Sequence, residues 1–187
     1  MKRRVCSIER AFFVFLILLT WREQSSILII KTTVNRREKG IASMKIIAFE
    51  NKYRDDLIYM ILDAKNALGR VPGLNEDLLD VEKNYFENGG MFWLAIDEND
   101  RVIGSCGYLS ENGEKTAWLH RLFVKAELKR RGIGTALLKT AERYAKENGA
   151  DEIHVHLGGE GFFESRNFYP KHGFVQYKPD YMKKILF

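Results

Sequence analysis

The stretch Lys129-Arg130-Arg131-Gly132-Ile133-Gly134-Thr135-Ala136 constrains this chain more than any other. It stands between a β-prone run, residues 115–124, and a segment of helical period, residues 131–148, which Gly149 closes. Strand, tight turn and long helix must therefore follow one another. The two glycines let the backbone turn with its N–H groups converging, and the helix N-terminus adds a partial positive charge. Such a turn is an anion site suited to a pyrophosphate, and Lys129, Arg130 and Arg131 add formal charge beside it. A Walker A loop ends in Gly-Lys-Ser/Thr, whereas Gly134 is followed by Thr135-Ala136. A Rossmann fingerprint needs Gly or Ala where Leu137 stands. Neither motif fits, and on the glycines alone a basic helix start without a ligand stays open.

The rest of the chain supplies the partners for this unit. Residues 44–50 read as an edge strand, and residues 53–68 show apolar positions at helical spacing with Gly69 as a stop. A loop at 69–73 leads to Asn75, which reads as the N-cap of a helix running to Phe86, with acidic residues in its first turn. Residues 91–97 and 101–109 read as a hairpin around Glu98-Asn99-Asp100. Residues 152–157 form another strand, 160–171 are helix-like, and a final strand pair closes the chain. This pattern predicts a mixed α/β sheet rather than an alternating, doubly wound one.

The length suits one domain with a substantial core. The chain has 30 Lys/Arg against 25 Asp/Glu, a net charge of +5. That excess sits in residues 1–43, so the remainder offers no bulk electrostatic reason to bind nucleic acid. Residues 11–20 (AFFVFLILLT) follow a basic start but reach only half of the roughly 20 residues a spanning helix needs. Residues 1–43 therefore read as a mis-assigned start with Met44 as the true one, as a leader or anchor, or as a disordered tail. Residues 44–187 are expected to be the domain. Cys6 and Cys106 are too few for a disulfide framework or a cysteine-based zinc site, and a reducing cytoplasm is the expected compartment.

Residues 119–138, from Leu119-His120-Arg121-Leu122-Phe123-Val124 to Thr135-Ala136-Leu137-Leu138, resemble the acetyl-CoA segment of the GNAT acetyltransferase superfamily. Asn167-Phe168-Tyr169-Pro170-Lys171-His172-Gly173-Phe174 resembles its second signature, a tyrosine-bearing helix end. The resemblance implies a mostly antiparallel α/β sheet of about seven strands flanked by about four helices, with a splayed central strand pair. It implies transfer of an acetyl group from acetyl-CoA to a primary amine by direct attack in a ternary complex. The alternative it leaves is a module that binds acyl-CoA without turnover.

In residue terms, backbone N–H groups around Lys129, Arg130, Arg131, Gly132, Ile133, Gly134 and Thr135 would hold the pyrophosphate. Leu122, Phe123 and Val124 would pair with the pantetheine arm, one N–H there acting as an oxyanion donor. Tyr169 would be the general acid. Phe162 and Ser165 stand where the family often has Asn and Ala, so Ser165 and Asn167 are candidates for the missing cofactor contact. The implied partners are acetyl-CoA and an amine acceptor, with homodimerisation common in the family, no nucleic acid, no metal, and a membrane only if residues 1–43 anchor it.

The amine must lose a proton before it attacks, because an alkyl ammonium has a pKa near ~10. His120 is the candidate base, on a strand face that simple alternation shares with Trp118, Leu122 and Val124. His154 and His156 share one strand face without a third ligand, so a metal is not expected. Acidic positions 55, 56, 63, 76, 77, 80 and 82 read either as a site for a cationic amine or as solvated helix faces. Cys106 reads as a small core residue rather than a nucleophile.

Overall fold

The computed structural model describes residues 44–110, 115–158 and 163–186; the expectations for residues 1–43 and for Phe162 lie outside these. Seven strands make one sheet: β1 (Lys45–Ala48), β2 (Met91–Ile96), β3 (Val102–Ser110), β4 (Thr116–Val124), β5 (Glu152–His156), β6 (Val175–Lys178) and β7 (Tyr181–Ile185). Their spatial order is β1-β2-β3-β4-β5-β7-β6. Every pairing is antiparallel except β4 with β5. The described helices are α1 (Arg54–Asn66), α2 (Ile133–Glu147) and α3 (Phe163–Phe168), with a π-helical turn at Glu82–Phe86. The expected mixed sheet is present.

Each sheet face carries its own core. α2 buries Ile133, Leu137, Leu138, Ala141 and Ala145 on one stripe, the spacing that lays a helix along a sheet. These residues pack with Trp93, Cys106, Tyr108, Leu119, Ile153, Val155 and Tyr169. On the opposite face, Leu57, Met60 and Ile61 of α1 and Tyr85 of the π-turn meet Phe92, Leu94 and Ile96 of β2. Gly107 makes this close packing feasible: a Cβ there would lie 2.6 Å from the Tyr85 ring.

Two expectations are corrected. The helix predicted from Asn75 to Phe86 is broken into a 3-10 turn (Glu76–Leu79) and the π-turn, with Asp80 non-helical between them. Asn75 makes no cap; its side-chain oxygen accepts from Lys65 Nζ instead. The short polar side chains here bond locally and across the fold in competition with the helix: Asp80 accepts from the Lys83 N–H, and Asn84 donates to the Asp77 and Asp80 carbonyls. The second correction concerns strand alternation on β4. Ser105 pairs with Phe123 but Gly107 pairs with His120, so two β4 residues oppose Cys106. Arg121, at φ 52°, sits at this bulge, and its carbonyl accepts from the buried Ser105 hydroxyl. Alternation therefore restarts. Phe123 joins the α1-side core, while Leu122 and Val124 pack against the α2-side core, away from the face His120 shares with Tyr85.

Candidate active site

β4 and β5 are paired only from Thr116 to Leu119, opposite Glu152 to Val155. Beyond that point β4 continues to Val124, while the Leu157 N–H turns away to the Asp180 carbonyl. A cleft of about 920 Å³ opens between the diverging strands. The Lys125 N–H bonds the Ile103 carbonyl on β3, so alternation turns the Val124 N–H and C=O toward this unpaired side.

The wall of the cleft past β4 is the glycine turn. Arg130 and Gly132 both adopt left-handed backbone, at φ 64° and 85°. α2 begins at Ile133 with no side chain capping it, and the first bond into it runs from the Ala136 N–H to the Gly132 carbonyl. The N–H groups of Ile133, Gly134 and Thr135 thus have no helical acceptor, and all three residues line the cleft. A row of N–H donors without helical acceptors at a helix start fits a phosphate-bearing cofactor. The basic side chains contribute less than the sequence suggests. Lys129 Nζ is held by Glu164 at 2.8 and 3.1 Å, and Arg131 lies on the exposed turn outside the lining, although Arg130 does line it.

Opposite this turn sits Tyr169. α3 ends at Phe168, and Pro170 opens a 3-10 turn, Pro170–His172, closed by Gly173 at φ 84°. Tyr169 is 7% exposed, its ring 5.3 Å from Phe168 and 5.1 Å from Phe174. Burial raises its phenol pKa, so it stays protonated across the neutral range. Its hydroxyl makes no hydrogen bond to a described residue, and the side chain lines the cleft together with His120, Ser165 and Asn167. The Asn167 side-chain amide donates to the Phe163 carbonyl at 3.1 Å.

Burial, then the neighbouring Arg121 guanidinium, lowers the pKa of His120 below its ordinary value. The Arg121 side chain forms a two-pronged pair with Asp77, the closest contact being 2.7 Å, and the Tyr85 hydroxyl donates to the same carboxylate at 2.6 Å. Burial would raise the Asp77 pKa, but the bonds from Arg121 and Tyr85 outweigh it and hold the carboxyl ionised. The sequence marked position 77 only as one of several acidic positions and did not mark its pairing with Arg121, because nothing local to either one predicts a contact 44 residues apart.

His172 was also missed. Its Nδ1 lies 2.9 Å from the Phe168 carbonyl, an acceptor only, so Nδ1 carries a proton. In the neutral ring Nε2 then accepts from the Thr135 hydroxyl at 3.0 Å, tying the first turn of α2 to the turn that carries Tyr169. His154 is buried between Glu152 and Tyr177, 2.8 and 3.0 Å away, whereas His156 is exposed over the Tyr181 ring. Cys106 is fully buried, its thiol pushed up to about 12 by desolvation. The acidic positions do not line the cleft. Asp56 holds Arg101 and the Val102 N–H, and Asp77 is committed to Arg121 and Tyr85.

Comparison with known proteins bears on the same segments. The model of the acetyltransferase (GNAT) family matches residues 58–174. Human N-acetyltransferase 8 is 36% identical over 87 residues, 44% of this chain and 38% of that protein. Human N-acetyltransferase 8B is 31% identical over 105 residues, 51% of this chain and 46% of that protein. The chain thus spans less than half the length of these curated relatives. A GNAT-family acetyltransferase from Staphylococcus aureus superposes with a TM-score of 0.71 at 25% identity, covering 78% of this chain and all of that one. The PaiA N-acetyltransferase of Thermoplasma acidophilum, solved with coenzyme A, shares the fold with a TM-score of 0.59 at 22% identity, covering 76% of this chain and 99% of that one.

Proposed function

The chain belongs to the acetyltransferase (GNAT) family, and we propose that it moves an acetyl group from acetyl-CoA to a primary amine by direct attack within a ternary complex. The observation that carries this reading is the cleft itself. One continuous space between β4 and β5 is lined by the donor-rich start of α2, by the open edge of β4, by His120 and by Tyr169. In this reading the N–H groups of Ile133, Gly134 and Thr135 bind the pyrophosphate, and the open edge of β4 at Val124 binds the pantetheine arm and polarises the thioester carbonyl. When bound, acetyl-CoA supplies the activated acyl group.

His120 takes the proton of the incoming ammonium, directly or through water, and its lowered pKa keeps it unprotonated at neutral pH. Tyr169 holds the proton that the departing thiolate needs, and burial keeps it in place until then. The inert Cys106 supports direct transfer over an acyl-cysteine route. A cytoplasmic site of action belongs to the same reading, in keeping with the free thiol. No described helix is long and apolar enough to cross a membrane.

The experiment is calorimetric titration of the protein with acetyl-CoA and CoA, followed by an amine screen read as CoA release. Micromolar binding with amine-dependent release supports the proposal. A folded protein that binds neither thioester nor thiol ends it, and binding without release by any amine leaves the non-catalytic module in its place.

A further inference from the structure

The end of the cleft away from the glycine turn is built by α1 and the segment after it, and its charge is unlike what the acidic composition of that region suggests. Lys65, Arg70 and Arg121 line this end, and among the described residues no carboxylate does; the one acid among the described lining residues is Glu164, bound to Lys129 at the other end. Lys65 is only 7% exposed. Its ammonium donates to the Gly73 carbonyl at 2.6 Å and to the Asn75 side-chain oxygen at 3.0 Å, both neutral acceptors. The charged groups acting on it are Arg121, Arg70 and Asp77, and Asp77 is already paired with Arg121. Because its oxygen is taken by Lys65, Asn75 turns its amide nitrogen inward, where that donor is buried without an acceptor. A buried ammonium held by neutral acceptors is costly, as is a buried donor left unmade, and an anion seated here relieves both. A plain alkyl ammonium or polyamine would meet repulsion from the same cations.

We propose that the acceptor is an amine that also carries a carboxylate, as an α-amino acid does, with Lys65, Asn75 and Arg121 receiving the carboxylate while the amine faces His120. This rests on the acetyltransferase reading and adds the chemical class of its acceptor. Lys65 and Asn75 are then specificity-determining residues.

The test uses the full chain loaded with CoA, so that acceptor binding is read by calorimetry independently of turnover. The probes are the L-α-amino acids and β-alanine, each beside its own carboxamide, which keeps the amine and removes the charge. At least one acid should bind about tenfold or more tightly than its amide. That preference should vanish in Lys65→Met, and also in Asn75→Asp, a nearly isosteric change that puts a negative charge at the same point and guards against a Lys65 variant that fails to fold. Equal binding of acids and amides, binding of no acid, or a preference untouched by both variants overturns the proposal. Weakened CoA binding in Lys65→Met, with acid binding unchanged, also overturns it and assigns the cations to the cofactor. CoA binding without acid preference removes this inference alone, whereas a wild-type protein that binds no CoA removes the acetyltransferase reading with it.

Discussion

Tyr169 and His120 line the same cleft, the proposed reaction gives them opposite tasks, and burial pushes their pKa values apart, one up and the other down. A phenol held protonated by desolvation is a donor that survives to the moment a thiolate forms. Tyr169→Phe should therefore lower turnover by about 10²-fold or more while leaving the acetyl-CoA dissociation constant nearly unchanged, as a calorimetric titration beside steady-state rates would show. Full activity of that variant across the neutral range would remove the general-acid role. For His120 the sign is set by its lowered pKa. The base form exists above that pKa, so the acid limb of kcat/KM should fall below pH ~6.5, the ordinary imidazole value, with a plateau above it. The same group contributes stability at neutral pH that is lost as pH falls through its lowered folded value. His120→Ala should abolish the acid limb, and a pH–rate profile in which the limb persists would assign it elsewhere.

Elements here are held by pairings that cross long sequence distances. The Arg121–Asp77 pair clamps the segment after α1 onto the β4 bulge, with side-chain exposures of 32% and 23%. Asp77→Ala strips Arg121 and the Tyr85 hydroxyl of their shared acceptor. It should cost about 2 kcal/mol, less than a fully buried pair because water reaches both groups. A lowered urea midpoint with unchanged slope would show it. At the start of α2 the constraint is space and charge. A Cβ at Gly134 would meet Val124 and Phe168 at 3.5 and 3.6 Å, ordinary contact, so Gly134→Ala should fold normally. Gly134→Glu should fold too, yet lose acetyl-CoA binding in a calorimetric titration, because its carboxylate enters the row of N–H donors. α2 itself was legible as a strict amphipathic stripe bounded by glycines. The broken helix at 76–86 was not, because its acidic first turn reads as a helix start, whereas Asp77 is drawn off by Arg121 and Asp80 bonds the backbone locally.

At the scale of the whole molecule, two cores flank one sheet, and the cleft exists because β4 and β5 part after four paired positions. All of these parts lie within the residues from Met44 onward. A protein begun at Met44 should therefore fold and bind acetyl-CoA as tightly as the full chain, and weaker binding would assign residues 1–43 a role in the site. The sequence by itself determined the strand–turn–helix unit, the succession of strands along the chain, the glycine turns that bound α2 and the helical period of α2. Each of these depends on local backbone freedom and on periodicity, which neighbouring residues carry between them. Only the tertiary structure decided which way His120 faces relative to Leu122 and Val124, since one extra residue at the bulge reverses alternation and leaves no local mark. Likewise, only the packed fold decided that the acidic segment turns its carboxylates to Arg101 and Arg121 and leaves Lys65 in the cleft. Charge pairing across dozens of residues is settled by where the chain crosses itself, and composition does not encode that.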